Sequence, residues 1–351
     1  MTADEVVPAP GPAPVHPAAG LTVSRGGRSA VWSGIGSTAA LAVFAYLPFL
    51  LYTGTTQTLV TFFTLVAMAS MWNLLAGYAG LVSVGQQAYV GLGAYAALQF
   101  SDWGVQPFLG VALAAAACAV IAVPTSLLAF RLRGDYFAVG TWVIAEVYHL
   151  AIAQDKALGA GTGEALTTLS GFSPVLREAI TYWVALGVAA VSIAACYVLL
   201  RGRLGLALTA VRDDETAAHA SGVAVTRAKR TAYLVAAAGT GAAGGVLLIS
   251  QLNVAPDSIF SVQWTAYMIF ITVIGGIGTI EGPVLGAAVF TVVQQLFAGG
   301  GVWYLILLGA MAVAAAVWLP RGLWGLLRSR TSLSLFPVGY TVRGLTNGRG
   351  G

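Results

Sequence analysis

The sequence predicts an all-α polytopic membrane protein with about ten transmembrane helices, within a range of eight to ten. Apolar runs of about twenty residues recur between residues 30 and 320, and a helix of that length, rising about 1.5 Å per residue, matches the hydrocarbon thickness of a bilayer. The composition agrees, since 58% of the 351 residues are hydrophobic and only 9% are charged. Lipid is therefore the expected solvent of the fold.

The apolar runs place ten spans along the chain. They are predicted at 30–53, 56–76, 84–100, 107–130, 136–153, 180–200, 231–252, 262–279, 282–298 and 302–320. Several joints between them are short and rich in glycine, which lets a helix break where it lines a cavity. We therefore expect Gly-rich broken or re-entrant helix joints, and a count of nine spans stays open.

Lysine and arginine are concentrated in four places. Fifteen of the 17 lie in the N-terminal tail, at Arg131 and Arg133, in the segment 201–230 and in the C-terminal tail. Loops rich in these residues stay on the cytoplasmic side, and ten crossings from a cytoplasmic N terminus bring all four regions there. We expect a multi-pass protein of the cytoplasmic membrane with both termini inside. An anionic lipid leaflet or a protein partner accounts for the basic balance, and no nucleic acid is needed.

Two tails flank the predicted transmembrane domain, residues 30–320. Residues 1–29 carry five prolines among alanine and glycine, a composition that sustains neither a helix nor a core. This segment is predicted to be a disordered cytoplasmic tail. Residues 321–351, with Ser, Gly and Arg, are predicted to be a cytoplasmic C-terminal tail.

The segment 73–95 joins two apolar halves through five glycines and several uncharged polar residues. Polar backbone at membrane depth is tolerated only when protein covers it or water reaches it. One interpretation is a broken helix or re-entrant turn beside a translocation path; the other is a tight cytoplasmic turn with small packing residues. The path candidates are Asn73, Gly77, Gly80, Ser83, Gly85, Gln86, Gln87 and Tyr89.

A second glycine-rich joint lies at 274–286. Gly278, Gly282 and Gly286 recur every fourth residue, which predicts one flat helix face for a neighbouring helix. Pro283 suits the first turn of the next helix, and Glu281 suits its positive N-terminal end. We expect Gly276, Gly278, Gly282, Pro283 and Gly286 to serve packing and the joint.

The segment 201–230 is the longest predicted cytoplasmic connection and the most charged. Asp213 or Asp214 can cap a short helix whose Ala217, Ala218 and Gly222 present a small, shallow face. That face could enter a partner's groove; the alternative is a solvated connector. The candidate docking residues are Arg212, Asp213, Asp214, Glu215, Ala217, Ala218 and Gly222.

Four ionisable or sulfur-bearing positions inside the predicted spans also matter. An ionisable side chain at membrane depth costs about 2.5–3.5 kcal/mol on insertion scales and faces the bundle interior or water. Glu146, with His149 three residues on, either lines the path or forms a structural or interfacial pair. Cys118 and Cys196 occur without a CxxC motif or a Cys/His cluster, so we expect buried packing residues and no metal site.

Four motifs occur in a characteristic order and spacing. They are the segment 73–95, the entry at 131–137 to the span containing Glu146, the loop 212–222 and the joint 276–286. Together they resemble the permease subunits of branched-chain amino-acid ABC importers, of the high-affinity leucine/isoleucine/valine "M" type. The resemblance covers about residues 40–325.

The resemblance implies that 215–222 corresponds to the loop with the EAA-x-x-x-G pattern, which docks on the ATP-binding subunit. Here Thr216 separates Glu215 from the two alanines, which departs from the pattern. The implied partners are a second permease subunit in a heterodimer, two cytoplasmic ATP-binding subunits and an extracytoplasmic binding protein that delivers the amino-acid substrate.

This chain is expected to bind no cofactor and to have no enzymatic activity, because ATP is used by the partner subunits. No G-x-x-x-x-G-K-[ST] sequence is present to cradle phosphates. Importers of urea or short-chain amides share the glycine motifs and remain the alternative. A stand-alone secondary transporter is less favoured, because such carriers place several ionisable groups in the membrane.

Overall fold

The computed structural model describes residues 22–24, 41–49, 53–159, 161–169, 171–297, 302–319, 321–330, 336 and 341–343. Residues 41–46 are helical and lead into a 3-10 turn at Leu47–Phe49. The α-helices that follow are α1 Thr53–Asn73, α2 Gln87–Asp102, α3 Pro107–Ala129, α4 Asp135–Gln154, α5 Pro174–Arg201, α6 Arg203–Asp213, α7 Glu215–Ala220, α8 Val225–Gln251, α9 Pro256–Ile259, α10 Val262–Gly275, α11 Gly282–Phe297, α12 Val302–Trp318 and α13 Gly322–Arg330.

Among the described residues, six helical segments are long and apolar enough to cross a membrane. They are Gly54–Tyr78, Pro107–Ala129, Asp135–Gln154, Pro174–Arg201, Val225–Gln251 and Pro256–Gly275. A bent pair, Gly309–Trp318 and Gly322–Ser329, meets at 42° and would make a seventh. Helices α2 and α11 are shorter, with 16 residues each. The predicted all-α polytopic class is confirmed, while the predicted span 30–53 lies largely outside the described residues.

Helices α1 and α8 form the centre of the bundle, since most of their apolar residues are buried. A Cβ atom on Gly93 of α2 would lie 2.0 Å from the carbonyl oxygen of Gly241 in α8, and one on Gly244 would lie 2.0 Å from that of Val90. The backbones of α2 and α8 therefore touch, as small residues allow in membrane helices. Helix α4, by contrast, is mostly exposed.

Two helices begin about six residues earlier than the hydropathy pattern predicts. Helix α5 begins at Pro174 and not near residue 180, because the Ser173 hydroxyl accepts a hydrogen bond from Leu176 N and Pro174 fits the first turn. Helix α8 begins at Val225 and takes in the basic residues 227–230. The segment 201–230 is therefore largely helical, with α6 and α7 standing before α8.

Two short antiparallel strand pairs complete the described structure. Strand β2 (Glu164–Ala165) pairs with β3 (Asn253–Val254) and ties the 155–173 connection to the end of α8. Strand β1 (Thr22–Ser24) pairs with β4 (Thr341–Arg343), so these pieces of the two tails meet. Apart from β1, the predicted disordered tail 1–29 lies outside the described residues, and residues 322–330 of the predicted C-terminal tail form α13.

Candidate functional site

The segment between α1 and α2 is a helix break covered by protein. Helix α1 continues as a π turn, Leu74–Tyr78, and residues 79–86 are not helical before α2 begins at Gln87. Most of this stretch is buried. Its backbone is satisfied internally, because Leu81 N donates to Leu75 O (2.9 Å) and Val84 N to the hydroxyl of Thr141 on α4 (3.2 Å). Such internal pairing is what lets irregular backbone persist at membrane depth.

Asn73, the last residue of α1, joins this break to the second glycine-rich joint. Its Nδ2 donates to the carbonyl oxygen of Thr279 (2.7 Å), and its Oδ1 accepts from the backbone N of Gly278 (2.8 Å). The side chain is 2% exposed. One buried amide therefore satisfies both a backbone donor and a backbone acceptor that lie more than 200 residues away in sequence.

Gly77 lies directly against this contact. A Cβ atom there would come within 2.3 Å of Asn73 Oδ1 and 2.6 Å of Gly278 N. Any side chain at this position would separate the two joints. Glycine is thus required by the close approach of the two backbones.

Arg212, at the end of α6, reaches the same place. Its Nη1 donates to the carbonyl oxygen of Gly77 (2.9 Å), while its Nε and Nη2 donate to Asp213 Oδ1 (3.0 and 2.9 Å). A Cβ atom on Gly80, which has φ +68°, would lie 3.3 Å from Arg212 Cα. We call the group Asn73, Gly77, Arg212, Gly278 and Thr279 the junction, because three of the four sequence motifs meet there.

The second joint is a tight helical hairpin between α10 and α11. A Cβ atom on Gly286 would lie 1.9 Å from Ile271 O, and one on Gly275 would lie 1.9 Å from Gly282 O. Gly282 and Gly286 therefore pack the hairpin as expected, and Pro283 lies in the first turn of α11. The prediction that Gly278 shares their helix face is wrong. Gly278 lies before α11, at φ +75°, because the chain turns there.

The turn of this hairpin also contacts the C-terminal region. Gly276 has φ +126°, and a Cβ atom on Gly322 of α13 would lie 2.3 Å from its Cα. Glu281 is buried just before α11, and its Oε1 accepts from Phe336 N (2.9 Å). Glu281 is thus near the helix N terminus, as predicted, and also binds a residue of the C-terminal tail.

The polar residues at the start of α2 are buried and fasten it to α8 and α10. Gln86 Oε1 accepts from Thr240 Oγ1 (3.4 Å), and the Gln87 side chain and backbone both bond to the hydroxyl of Thr265. Tyr89 donates to Tyr233 (3.1 Å). Thr240, Thr265 and Tyr233 carried no sequence signal, because single hydroxyl residues are common in apolar spans.

Two further path candidates serve the break itself. Ser83 is fully buried; its carbonyl accepts from Trp72 Nε1 (2.8 Å) and its hydroxyl from Gly85 N (3.3 Å). A Cβ atom on Gly85 would lie 2.0 Å from Thr141 O, so α4 touches the break. Within the described residues, Gln86 Nε2 has no hydrogen-bond partner. That amide is the unpaired polar group at the break.

The docking candidates form a compact helical element. Asp214 caps α7, since its Oδ1 accepts from Thr216 N (2.8 Å) and Ala217 N (3.0 Å). The prediction that Ala218 belongs to an exposed face is wrong, because Ala218 is 4% exposed and packs with Val211 and Val225.

The exposed side of α7 instead carries Ala217, with Gly222 in the turn that follows. Gly222 has φ +81°, a conformation that favours glycine. Glu215 is bound to Lys229 of α8 through a 2.6 Å ion pair. The element is thus fastened to α8 by this pair and to the junction by Arg212.

Glu146 lies in a different cluster. Its carboxylate is 54% exposed and bonds to His149 Nδ1 (3.1 Å), while His149 Nε2 bonds to Asp257 of α9 (3.1 Å). The ring of His149 stacks on Phe260. Of the two interpretations of Glu146, the pair with a neighbouring group is the arrangement present here.

Six or seven candidate spans within the described residues, around two buried glycine-rich breaks, define the class: a polytopic helical membrane protein whose breaks meet a charged helical element at one end. The chain belongs to the family of permease components of branched-chain amino acid transport systems, whose family model matches residues 54–316.

Two curated relatives carry the same name. The chain is 29% identical over 286 residues to the high-affinity branched-chain amino acid transport system permease protein LivM of Salmonella typhimurium, covering 74% of this chain and 65% of that protein. It is 28% identical over 327 residues to LivM of Escherichia coli K12, covering 84% and 76%. The chain thus spans about two thirds of the length of the first relative. No solved structure matches it.

Proposed function

We propose that this chain is the transmembrane permease subunit of an ATP-driven ABC importer that moves branched-chain, hydrophobic amino acids across the cytoplasmic membrane. The observation that carries the proposal is the hydrogen bond from Arg212 to Gly77, which links the candidate docking element to a helix break inside the bundle. An importer whose energy comes from separate ATP-binding subunits needs such a link, because ATP hydrolysis and the translocation path lie on different subunits.

In the proposed mechanism, motion of the docking element passes through hydrogen bonds to the helix breaks inside the bundle. Two cytoplasmic ATP-binding subunits close on ATP and shift α6 and α7, which dock on them through the exposed side of α7. Arg212 pulls on the π turn at Gly77, and Asn73 carries the shift to Gly278 in the hairpin of α10 and α11. Two helix groups then rock past each other, as alternating access requires.

The start of α2 is the proposed lining of the path. Within the described residues, the buried Gln86 Nε2 there has no partner, while Gln86 Oε1 bonds to α8 and the neighbouring Gln87 bonds to α10. A shift of α2 against α8 would open polar groups to a substrate without exposing charge to lipid. The path would be completed by a second permease subunit, and an extracytoplasmic binding protein would deliver the amino acid.

The distribution of basic residues sets the proposed orientation of the protein in the membrane. The end of the bundle with the junction also carries the basic segment 201–230, so we assign it to the cytoplasm. Both termini then lie inside. The opposite end, with the β2–β3 pair and α9, faces the binding protein.

Reconstitution tests the proposal directly. Proteoliposomes would contain this chain, its candidate partner permease, two ATP-binding subunits and the binding protein, and uptake of labelled leucine and labelled urea would be measured with and without ATP. We expect ATP-dependent leucine uptake that is lost when any one subunit is omitted. Uptake of urea alone would identify a urea or amide importer, and uptake by this chain alone would identify a stand-alone carrier.

A further inference from the structure

A cavity lies at the end of the bundle away from the junction. It has a volume of about 350 Å³ and is bounded by the end of α8, by α9, by the start of α10, and by α1 and α11. The α8 and α10 residues that line it, Gln251 and Gln263, are at the helix ends far from Arg212 and Gly278. The cavity therefore opens where a substrate would first meet the bundle.

The lining combines three chemistries in a small volume. Gln251 and Gln294 line it with amide side chains. Asp257 supplies one carboxylate, and Leu65 and Trp264 supply apolar surface. Ligand sites begin at volumes of about 300 Å³ and combine apolar walls with a few convergent polar groups. This site is at the small end of that range, which suits a ligand of single-amino-acid size.

Asp257 is held in place by the cluster described above. Its Oδ1 bonds to His149 Nε2 (3.1 Å), and His149 is oriented on its other side by Glu146 (3.1 Å) and by the ring of Phe260. The second carboxylate oxygen remains available, and the Asp257 side chain is 90% exposed. Asp257 thus lies at the wall of the cavity, with its carboxylate held by His149 and accessible from solvent.

We infer that this cavity is an entry site for a zwitterionic amino acid with an apolar side chain. Asp257 pairs with the ligand's ammonium group, the amides of Gln251 and Gln294 donate to its carboxylate, and its side chain lies against Leu65 and Trp264. Ligands with a second carboxylate are disfavoured by repulsion from Asp257. The inference rests on the proposed import of hydrophobic amino acids and adds where this chain first holds them.

A labelling experiment tests occupancy without requiring transport. Both native cysteines are buried, so a Ser258→Cys variant, at an exposed lining position that is given no contact with the ligand, would carry an accessible thiol at the cavity. The assembled complex would be treated with a membrane-impermeant maleimide in the presence of increasing leucine, valine or glutamate. We expect leucine and valine to slow labelling about fourfold when present at about three times their dissociation constant, and glutamate to leave it unchanged.

The matched control is Lys156→Cys, which is exposed in the connection after α4 and does not line the cavity. Its labelling should not respond to leucine. Protection of both introduced cysteines would indicate a general conformational change and would overturn the inference, as would failure of leucine to protect Ser258→Cys up to its solubility limit.

Uptake kinetics give a second, separable readout. In the reconstituted importer, Asp257→Asn should raise the KM for leucine about tenfold, which equals about 1.4 kcal/mol, while the rate of ATP hydrolysis stays unchanged. Asp102→Asn, an equally conservative change at the exposed end of α2, is the control. If wild-type protein imports leucine and Asp257→Asn behaves identically, the entry site is wrong while the proposed function stands. Absence of leucine uptake by the wild type would refute the proposed function itself.

Discussion

Arg212 and Gly77, which are 135 residues apart in sequence, are joined by a 2.9 Å hydrogen bond from the guanidinium Nη1 to the backbone carbonyl oxygen. The carbonyl belongs to a π turn, where the shift of the helical hydrogen-bond pattern frees a backbone group for another partner. A charged donor strengthens this bond. The contact therefore connects the surface element α6–α7 to the interior of the bundle through one side chain.

Removal of the guanidinium should uncouple the docking element from the break. In Arg212→Ala, we expect ATP-dependent leucine uptake to fall at least about fivefold, the lower range of typical coupling energies, while the ATP-binding subunits still copurify with the chain. Arg203→Ala, exposed on the same helix, should retain uptake. The measurement is uptake and ATP hydrolysis in the same proteoliposomes, and an equal loss in both variants would contradict the coupling role.

The buried Asn73 amide should contribute more to the free energy of unfolding than an exposed asparagine does. Asn73→Leu leaves Gly278 N and Thr279 O, both partly buried, without their partner, and an unsatisfied buried group costs about 1–3 kcal/mol. We expect a lower midpoint of thermal unfolding in detergent. Asn253→Leu, exposed in β3, is the matched control and should unfold near the wild-type temperature. Equal midpoints for the two variants would mean that water replaces the lost bonds at the junction.

Much of this fold was accessible from the sequence, for a clear physical reason. Hydropathy reports which residues face lipid or core, so α1, α3, α4 and α11 begin and end within a few residues of prediction. The start of α5 was missed because Arg177 and Glu178 interrupt the apolar run, whereas the cap at Ser173 determines the helix start.

The junction could be predicted only in its parts. Glycine content indicated a break near Gly77 and a joint near Gly278, but composition carries no information about which distant segments touch. Asn73 pairs with residues more than 200 positions away. Ala218 was misplaced for a related reason: an alanine suits both an exposed docking face and a tight contact, and packing against Val211 decides between them.

Because other atoms crowd Gly77 closely, alanine should be tolerated far less well there than at an uncrowded helical glycine. Gly77→Ala forces a Cβ against Asn73 Oδ1 and Gly278 N, so we expect destabilisation of about 1–3 kcal/mol together with loss of uptake. Gly187→Ala on α5, where nothing lies within 4 Å of the added Cβ, should be neutral or stabilising by up to about 1 kcal/mol because alanine favours the helix. Thermal unfolding of both variants in one detergent checks this. A neutral Gly77→Ala would show that the two joints can separate without cost.

Reversing the charges of the Glu215–Lys229 ion pair distinguishes two roles for Glu215: orienting α7, or contacting the ATP-binding subunit directly. Lys229 Nζ lies 2.6 Å from Glu215 Oε2, with the side chains 16% and 58% exposed, and a partly exposed pair of this kind is worth about 0.2–1 kcal/mol. If Glu215 acts by orienting α7, then Glu215→Lys and Lys229→Glu should each weaken capture of the ATP-binding subunit by a few-fold, and the double reversal should restore it.

Arg227→Glu, an exposed charge reversal on α8 two residues before Lys229, controls for the change in net charge. Capture of the tagged ATP-binding subunit by detergent-solubilised protein is the measurement. We expect restoration in the double reversal, because the pair joins two helices of the same chain and its sign should not matter to their packing. A double reversal as weak as Glu215→Lys would instead mean that Glu215 contacts the partner, since a swapped pair keeps α7 in place but presents the wrong charge across the interface.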